Sequence, residues 1–200
     1  MHRTPNAPTG GPPLSLREQV CSIVKDHGHL RLSEPVQLRS GEWSRDFVDA
    51  KRALQDGGDL ETACRAMLEA LGDVDFDAVG GLTLGADQFA HVLAVLARKK
   101  WFVVRKAVKG RGTNQRVEGA PIGPGVKVLL VDDVVTTGGS ILEAYEVVRE
   151  LGADVVAAAT LLDRGESARA RFEAAGVPYF PVLTYRDLGI EPVGGGVLAT

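Results

Sequence analysis

Cysteine is scarce in this chain of 200 residues: there are two, Cys21 and Cys64. Two thiols cannot build a disulfide framework, and neither stands at a metal-ligand spacing. Long apolar runs are absent as well. None approaches the ~18 residues that a membrane-spanning helix needs, and no stretch reads as a secretory leader. A membrane partner is therefore not expected, and cytoplasm is the expected compartment. Excess positive charge is also missing, since 23 Lys and Arg face 26 Asp and Glu for a net −3. That balance argues against wholesale nucleic-acid binding and leaves room only for a local basic patch. No G-x-x-x-x-G-K-[ST] stretch occurs, which excludes a P-loop nucleotide triphosphatase. His27, His29 and His91 show no triad or ligand spacing and read as structural.

Apolar residues make up 44% of the chain and charged ones 24%, enough to bury one core. Residues 1–13 (MHRTPNAPTGGPP) are rich in proline and glycine and read as a disordered tail. Residues 14–192 read as one domain and 193–200 as a flexible terminus. After Ser15, LREQVCSIVKDHG has helical spacing with a stop at Gly28. The stretch LRLSEPVQLRSGEWSRDFVDAKRAL then suggests short strands broken by turns. LETACRAMLEALGD reads as an amphipathic helix with Asp59 as its N-cap. Beyond it the rhythm changes. FDAVGGL, WFVVRK, GVKVLLVDD, DVVAAATLLDR and VPYFPVLT read as strands. ADQFAHVLAVLARKK, GSILEAYEVVRELG and ESARARFEAAG read as helices between them. Strands that are apolar throughout, alternating with helices, predict a doubly wound α/β fold with a mostly parallel sheet.

Residues 128–140 (VLLVDDVVTTGGS) run a buried strand into two adjacent carboxylates and then into a loose turn. Ligands of open parallel sheets bind beyond the carboxyl ends of the strands, where Asp132 and Asp133 are expected. Gly138 and Gly139 allow a tight curl. The helix that follows exposes amides without internal partners, and Thr136, Thr137 and Ser140 add hydroxyls. A bare phosphate suits the amides but is repelled by the acids. A ribose 5-phosphate satisfies both, with its phosphate in the turn and its 2- and 3-hydroxyls on the aspartates. A phosphoacceptor receiver domain also pairs acids at a strand end, but those acids come at its start. Here too little chain follows Asp132 to complete that fold.

Residues 98–116 hold eight of the 23 basic residues and no acid, with Gly110 and Gly112 among them. A mobile cationic loop of this kind can close over a polyanion and exclude water from it. Its aromatics, Trp101 and Phe102, fall in the expected strand rather than the loop, which argues against nucleic acid.

VLLVDDVVTTGGS resembles the phosphoribosyl-pyrophosphate (PRPP) signature of type I phosphoribosyltransferases. WFVVRKAVKGRGTNQRVEG resembles the catalytic loop of the orotate phosphoribosyltransferases among them. The resemblance implies that Arg105, Lys106, Lys109 and Arg111 face the pyrophosphate. It assigns the ribose phosphate to Asp132, Asp133, Val134, Val135, Thr136, Thr137, Gly138, Gly139 and Ser140. Lys109, Arg111, Asp132 and Asp133 would carry catalysis. VGGLTLGAD resembles the family's pyrophosphate loop, with Gly81, Leu82 and Thr83 offering amides, although many members carry a lysine where this chain has Leu84 and Gly85. RSGEWSRDFVD and TLLDRGE resemble the segments that hold the base, implying Arg39, Phe47, Thr136 and Arg164 for orotate. The resemblance further implies a small N-terminal hood, Mg²⁺ bound with PRPP without assured side-chain ligands, and a homodimer that exchanges its loops. Arg39 stands where the family has lysine, and Arg111 where it usually has histidine. An arginine there keeps the charge but cannot donate a proton near neutral pH. A phosphoribosyltransferase for another base and a non-catalytic PRPP-binding regulator stand as alternatives.

Overall fold

The computed structural model describes residues 13–38, 41–107 and 115–193. The chain enters through α1 (Leu16–Ile23), which Ser15 and Glu18 close in a reciprocal capping box. A π-helical turn (Val24–Gly28) continues it, so the helical path does end at Gly28. Arg17 on α1 reaches the far end of the chain, pairing with Asp187 at 2.8 Å and donating to the Val182 carbonyl at 3.0 Å.

Strands β1 (His29–Gln37) and β2 (Trp43–Val48) form an antiparallel hairpin, the expected hood. The expectation of short strands overreaches at its end. AKRA folds as a short helix, α2 (Ala50–Ala53), because the Asp49 side chain caps the amides of Lys51 and Arg52. Helix α3 (Gly57–Leu71) begins earlier than expected. Its N-cap is Asp56, whose carboxylate accepts from the Gly58 amide, and Asp59 instead lies in the first turn, where an acid favours the helix dipole.

The main sheet has the order β5-β4-β3-β6-β7-β8. Its strands are β3 (Ala78–Gly80), β4 (Lys100–Val104), β5 (Val117–Gly119), β6 (Lys127–Val135), β7 (Asp154–Asp163) and β8 (Tyr179–Thr184). All pairs are parallel except the edge pair β4/β5. β5 directly follows the basic segment and is not among the strands expected from the sequence. Helices α4 (Asp87–Ala97), α5 (Gly139–Glu150), α6 (Ser167–Ala174) and α7 (Tyr185–Leu188) complete the fold.

The period of two along β6 sorts its side chains between two cores. Leu129 and Val131 join Met67, Phe89 and Leu93 on the face covered by α3 and α4. Val128 and Leu130 join Ile141, Val148 and Phe172 under α5 and α6. Burial on both faces explains why β6 and β7 read as unbroken apolar runs. Val193, expected to open the flexible terminus, is buried and donates its amide to the Arg164 carbonyl at 2.9 Å. Residues 194–200 and 1–12 lie outside the described residues.

Candidate active site

The strand β6 continues through both aspartates to Val135, so the acids belong to the carboxyl-terminal part of the strand and the turn proper begins at Thr136. Their backbone is held by β7: the Thr160 hydroxyl donates to the carbonyls of Asp132 (3.1 Å) and Asp133 (3.0 Å). Asp132 Oδ1 accepts from the Asp133 amide at 3.0 Å, and Asp133 Oδ1 from the Val134 amide at 2.7 Å. The second Asp133 oxygen pairs with Lys51 Nζ at 2.6 Å. Asp132 is buried. That burial, reinforced by the neighbouring charge of Asp133, pushes its carboxyl up to about 7. Burial opposes the charge on Lys51, but its hydrogen bond to Asp133 and the fields of nearby carboxylates outweigh this and raise its pKa.

The turn after β6 is built by close approach. Gly138 has φ +79°, and a Cβ there would stand 3.0 Å from the Phe172 ring. A side chain at Gly165 would collide with the Thr136 carbonyl oxygen. The turn's carbonyls are taken from behind. Val135 O accepts from the Arg164 amide, and Thr137 O from Arg171 Nη1, both at 2.7 Å. At the front, α5 starts at Gly139 with no side-chain cap and no acid in its first turn. Its leading amides have no intrahelical acceptor, which makes an anion cradle.

Facing this turn is the loop after β3. Gly80 and Gly81 admit no Cβ, because one would run into the Phe102 and Val131 carbonyls respectively. At Gly85 a Cβ would strike Asp132 Oδ1 and stand 3.0 Å from Asp133 Oδ1, so this backbone lies directly over the acid pair. The Thr83–Leu84 peptide is cis. One expectation needs correcting. The Thr83 amide donates to the Val104 carbonyl at 2.9 Å, because the loop extends the β3/β4 ladder through Leu82. It is therefore not free for a ligand. The Gly81 carbonyl accepts from the Val104 amide at 2.8 Å, and Gly81 is not among the residues that line the cleft.

These elements enclose a cleft of about 1190 Å³. It brings together the expected Leu82, Thr83, Arg105, Lys106, and Asp132 through Ser140. It also exposes Lys51, Asp87, Glu118 and Glu143, which the sequence reading did not single out. Arg105 pairs with Glu118 at 2.8 Å, and Arg116 with Glu143 at 2.5 Å. Arg116 also donates to the Arg105 carbonyl at 3.0 Å, so the residue after β4 is tied to the residue before β5. Lys109 and Arg111 of that segment, and Arg39 of the hood, lie outside the described residues.

Arg164 and Phe47 do not line this cleft. Phe47 lies on β2 and is partly exposed, at 39%. Arg164 is buried beneath the hood, where Nη1 donates to the Asp46 carbonyl at 2.7 Å. Its Nε and Nη2 are buried with no hydrogen-bond partner among the described residues. Burial lowers its pKa. The Asp46 carboxylate is held by His29 at 2.9 Å and Arg31 at 2.5 Å. Burial works against that carboxylate's charge, and the interactions with these two partners, Arg31 foremost, more than offset it, leaving its pKa below the ordinary value. His29 is thus a hydrogen-bond partner of Asp46, and His91 rests edge-on against Trp101 with ring centroids 4.5 Å apart. Among the described residues no three His, Cys, Asp or Glu side chains converge as a metal cage.

This geometry has known counterparts. The family model for the phosphoribosyl transferase domain matches residues 53–175. The orotate phosphoribosyltransferase of Streptomyces avermitilis is 43% identical over 183 residues, covering 88% of this chain and 97% of that protein. That of Aquifex aeolicus is 36% identical over 178 residues, covering 86% and 97%. Among solved structures, Mycobacterium tuberculosis orotate phosphoribosyltransferase in complex with PRPP superposes with TM-score 0.72 at 34% identity, covering 88% of this chain and 100% of that one. Acid pair, amide-lined turn and glycine loop fall inside these matches, and the chain belongs to the phosphoribosyltransferase family, with the orotate phosphoribosyltransferases as its relatives.

Proposed function

We propose that this protein transfers the phosphoribosyl group of PRPP to orotate, giving orotidine 5′-monophosphate and pyrophosphate in pyrimidine synthesis. The observation that carries the reading is the acid pair, Asp132 buried and Asp133 partly buried, opening directly into an amide-lined turn. A sugar phosphate is the ligand class that uses both halves. The amides and hydroxyls from Thr136 to Ser140 hold the 5-phosphate, and Asp132 and Asp133 hold the ribose hydroxyls. An orotate nitrogen displaces pyrophosphate at C1, and the bond to the leaving oxygen breaks as positive charge develops on the sugar. Asp132 and Asp133 stand where that charge grows. Arg105 and Lys106, with Lys109 and Arg111, meet the negative charge gathering on the diphosphate. The remaining rate advantage comes from positioning.

Arg164 favours orotate over other bases. Its unpaired Nε and Nη2 form one side of a guanidinium fork, which matches a carboxylate. A base without a carboxylate would leave both donors bare. Phe47 on the hood offers its ring to the base, and Thr136 and Arg39 complete that subsite.

The donor set suits Mg²⁺ as a substrate-borne ion. Two adjacent carboxylates, with no third ligand among the described residues, fit a cation held mainly by substrate oxygens and water. When bound it would neutralise diphosphate charge. The exposed Val95 and Trp101, beside His91, form an apolar patch that a second copy would cover in a homodimer. The free thiols of Cys21 and Cys64 suit a reducing cytoplasm.

The test mixes protein, Mg²⁺, PRPP and a panel of bases, following orotate absorbance and pyrophosphate release. Orotate alone should be consumed. Release of pyrophosphate with a different base and none with orotate would replace the reading.

A further inference from the structure

The walls of the cleft hold five carboxylates, Asp87, Glu118, Asp132, Asp133 and Glu143. A polyanion entering it meets repulsion unless cations are already in place. Glu118 and Glu143 are answered by Arg105 and Arg116. The remaining three face Lys51. It is the only basic side chain among the described residues that forms an ion pair with either member of the acid pair. Its field also acts on Asp132 and Asp87.

The position of Lys51 is built. Asp49 caps the helix that carries it, accepting from the Lys51 amide at 3.1 Å. Ala50 and Ala53 on the same short helix are buried against the hood joint, where a Cβ on Gly28 would stand 2.6 Å from that of Ala53. The side chain is anchored at its base and 52% exposed, while the Asp133 side chain it grips is 15% exposed. A ligand can therefore reach the ammonium while the ion pair persists.

We propose that Lys51 is a positioning residue for PRPP: it neutralises Asp133 from the hood side, so that the acid pair can hold ribose hydroxyls without repelling the phosphates. The inference rests on the reading of the cleft as a PRPP site. Because Lys51 acts through Asp133, its loss should fall on PRPP and not on orotate.

The experiment measures PRPP binding by calorimetry with Mg²⁺, and steady-state kinetics, for wild type, Lys51→Met, Lys51→Arg, Asp133→Asn and the Lys51→Met/Asp133→Asn double variant. Lys51→Met should weaken PRPP binding about tenfold or more, the scale of a lost charge-assisted contact. Its KM for orotate at saturating PRPP should stay within about threefold, a split that damage to the hood would not produce. Lys51→Arg should restore most of the affinity. In the Asp133→Asn background the penalty of Lys51→Met should shrink to about threefold or less, since the charge it answers is gone. Should Lys51→Met not fold, Lys51→Gln takes its place. Unchanged or tighter PRPP binding by the Lys51 variant would overturn the inference alone. So would an equal penalty in the Asp133→Asn background. Wild-type protein that binds no PRPP would overturn the functional reading first, and this inference with it.

Discussion

Replacing Arg164 with methionine separates stability from function at one buried side chain. Arg164 is 3% exposed, and among the described residues its guanidinium makes one hydrogen bond, Nη1 to the Asp46 carbonyl at 2.7 Å. Losing that charge-assisted bond, with the carbonyl left bare, costs about 1.5–3 kcal/mol. Against this stand Nε and Nη2, buried without partners among the described residues. Each orphan donor costs about 1–3 kcal/mol, so removing the two returns roughly 2–6 kcal/mol. Methionine keeps most of the apolar stem. The unfolding free energy of Arg164→Met should therefore stay level or rise in urea titrations. Orotate recognition should fail in the same variant. Truncating one member of a buried charge pair costs at least about 2 kcal/mol, a rise in orotate KM of about thirtyfold or more. The KM for PRPP should hardly move. A fall in stability beyond about 2 kcal/mol, with orotate KM unchanged, would show that Arg164 is structural and refute the argument from orphaned donors.

The raised carboxyl of Asp132, at about 7, sets a pH slope. Its folded pKa exceeds its unfolded one, so the folded state holds an extra proton between the ordinary carboxylate range and about 7. Stability falls as pH climbs through that window. Asp132→Asn should therefore gain more in thermal midpoint over wild type at about pH 8 than at about pH 5; equal gains at both would contradict the raised pKa. At Gly85 a methyl group would displace the acid pair, since a Cβ there meets Asp132 Oδ1. Gly85→Ala should lower turnover about a hundredfold while leaving the circular dichroism spectrum intact, and near-normal activity would show that the loop yields freely.

The site was legible where its parts are contiguous. VLLVDDVVTTGGS carries strand, acids, turn and helix start in one run, and the structure keeps them together in one cleft wall. The three-residue β5 was not legible, because it exists only through its antiparallel pairing with β4. Four-residue α2 was missed for a similar reason: it is too short to show a period, and its Asp49 cap looks like any loop aspartate. Asp59 drew the N-cap assignment because acids crowd both sides of a helix start, and only the accepted Gly58 amide identifies Asp56. Thr83 looked like a ligand donor until Val104, distant along the chain, claimed its amide.

Periodicity and adjacent residue chemistry are properties of a short stretch of chain, so the sequence by itself determined the alternation of strands and helices, the parallel sheet and the anion-binding turn. Which charges meet is a property of distance in space. Lys51 reaches Asp133 across 82 residues, and Arg164 reaches Asp46 across 118. The proton affinity of Asp132 depends in turn on how completely its surroundings exclude water. Those three facts came only with the packing, because Coulomb energy and desolvation act through the closed fold and leave no spacing along the chain to read.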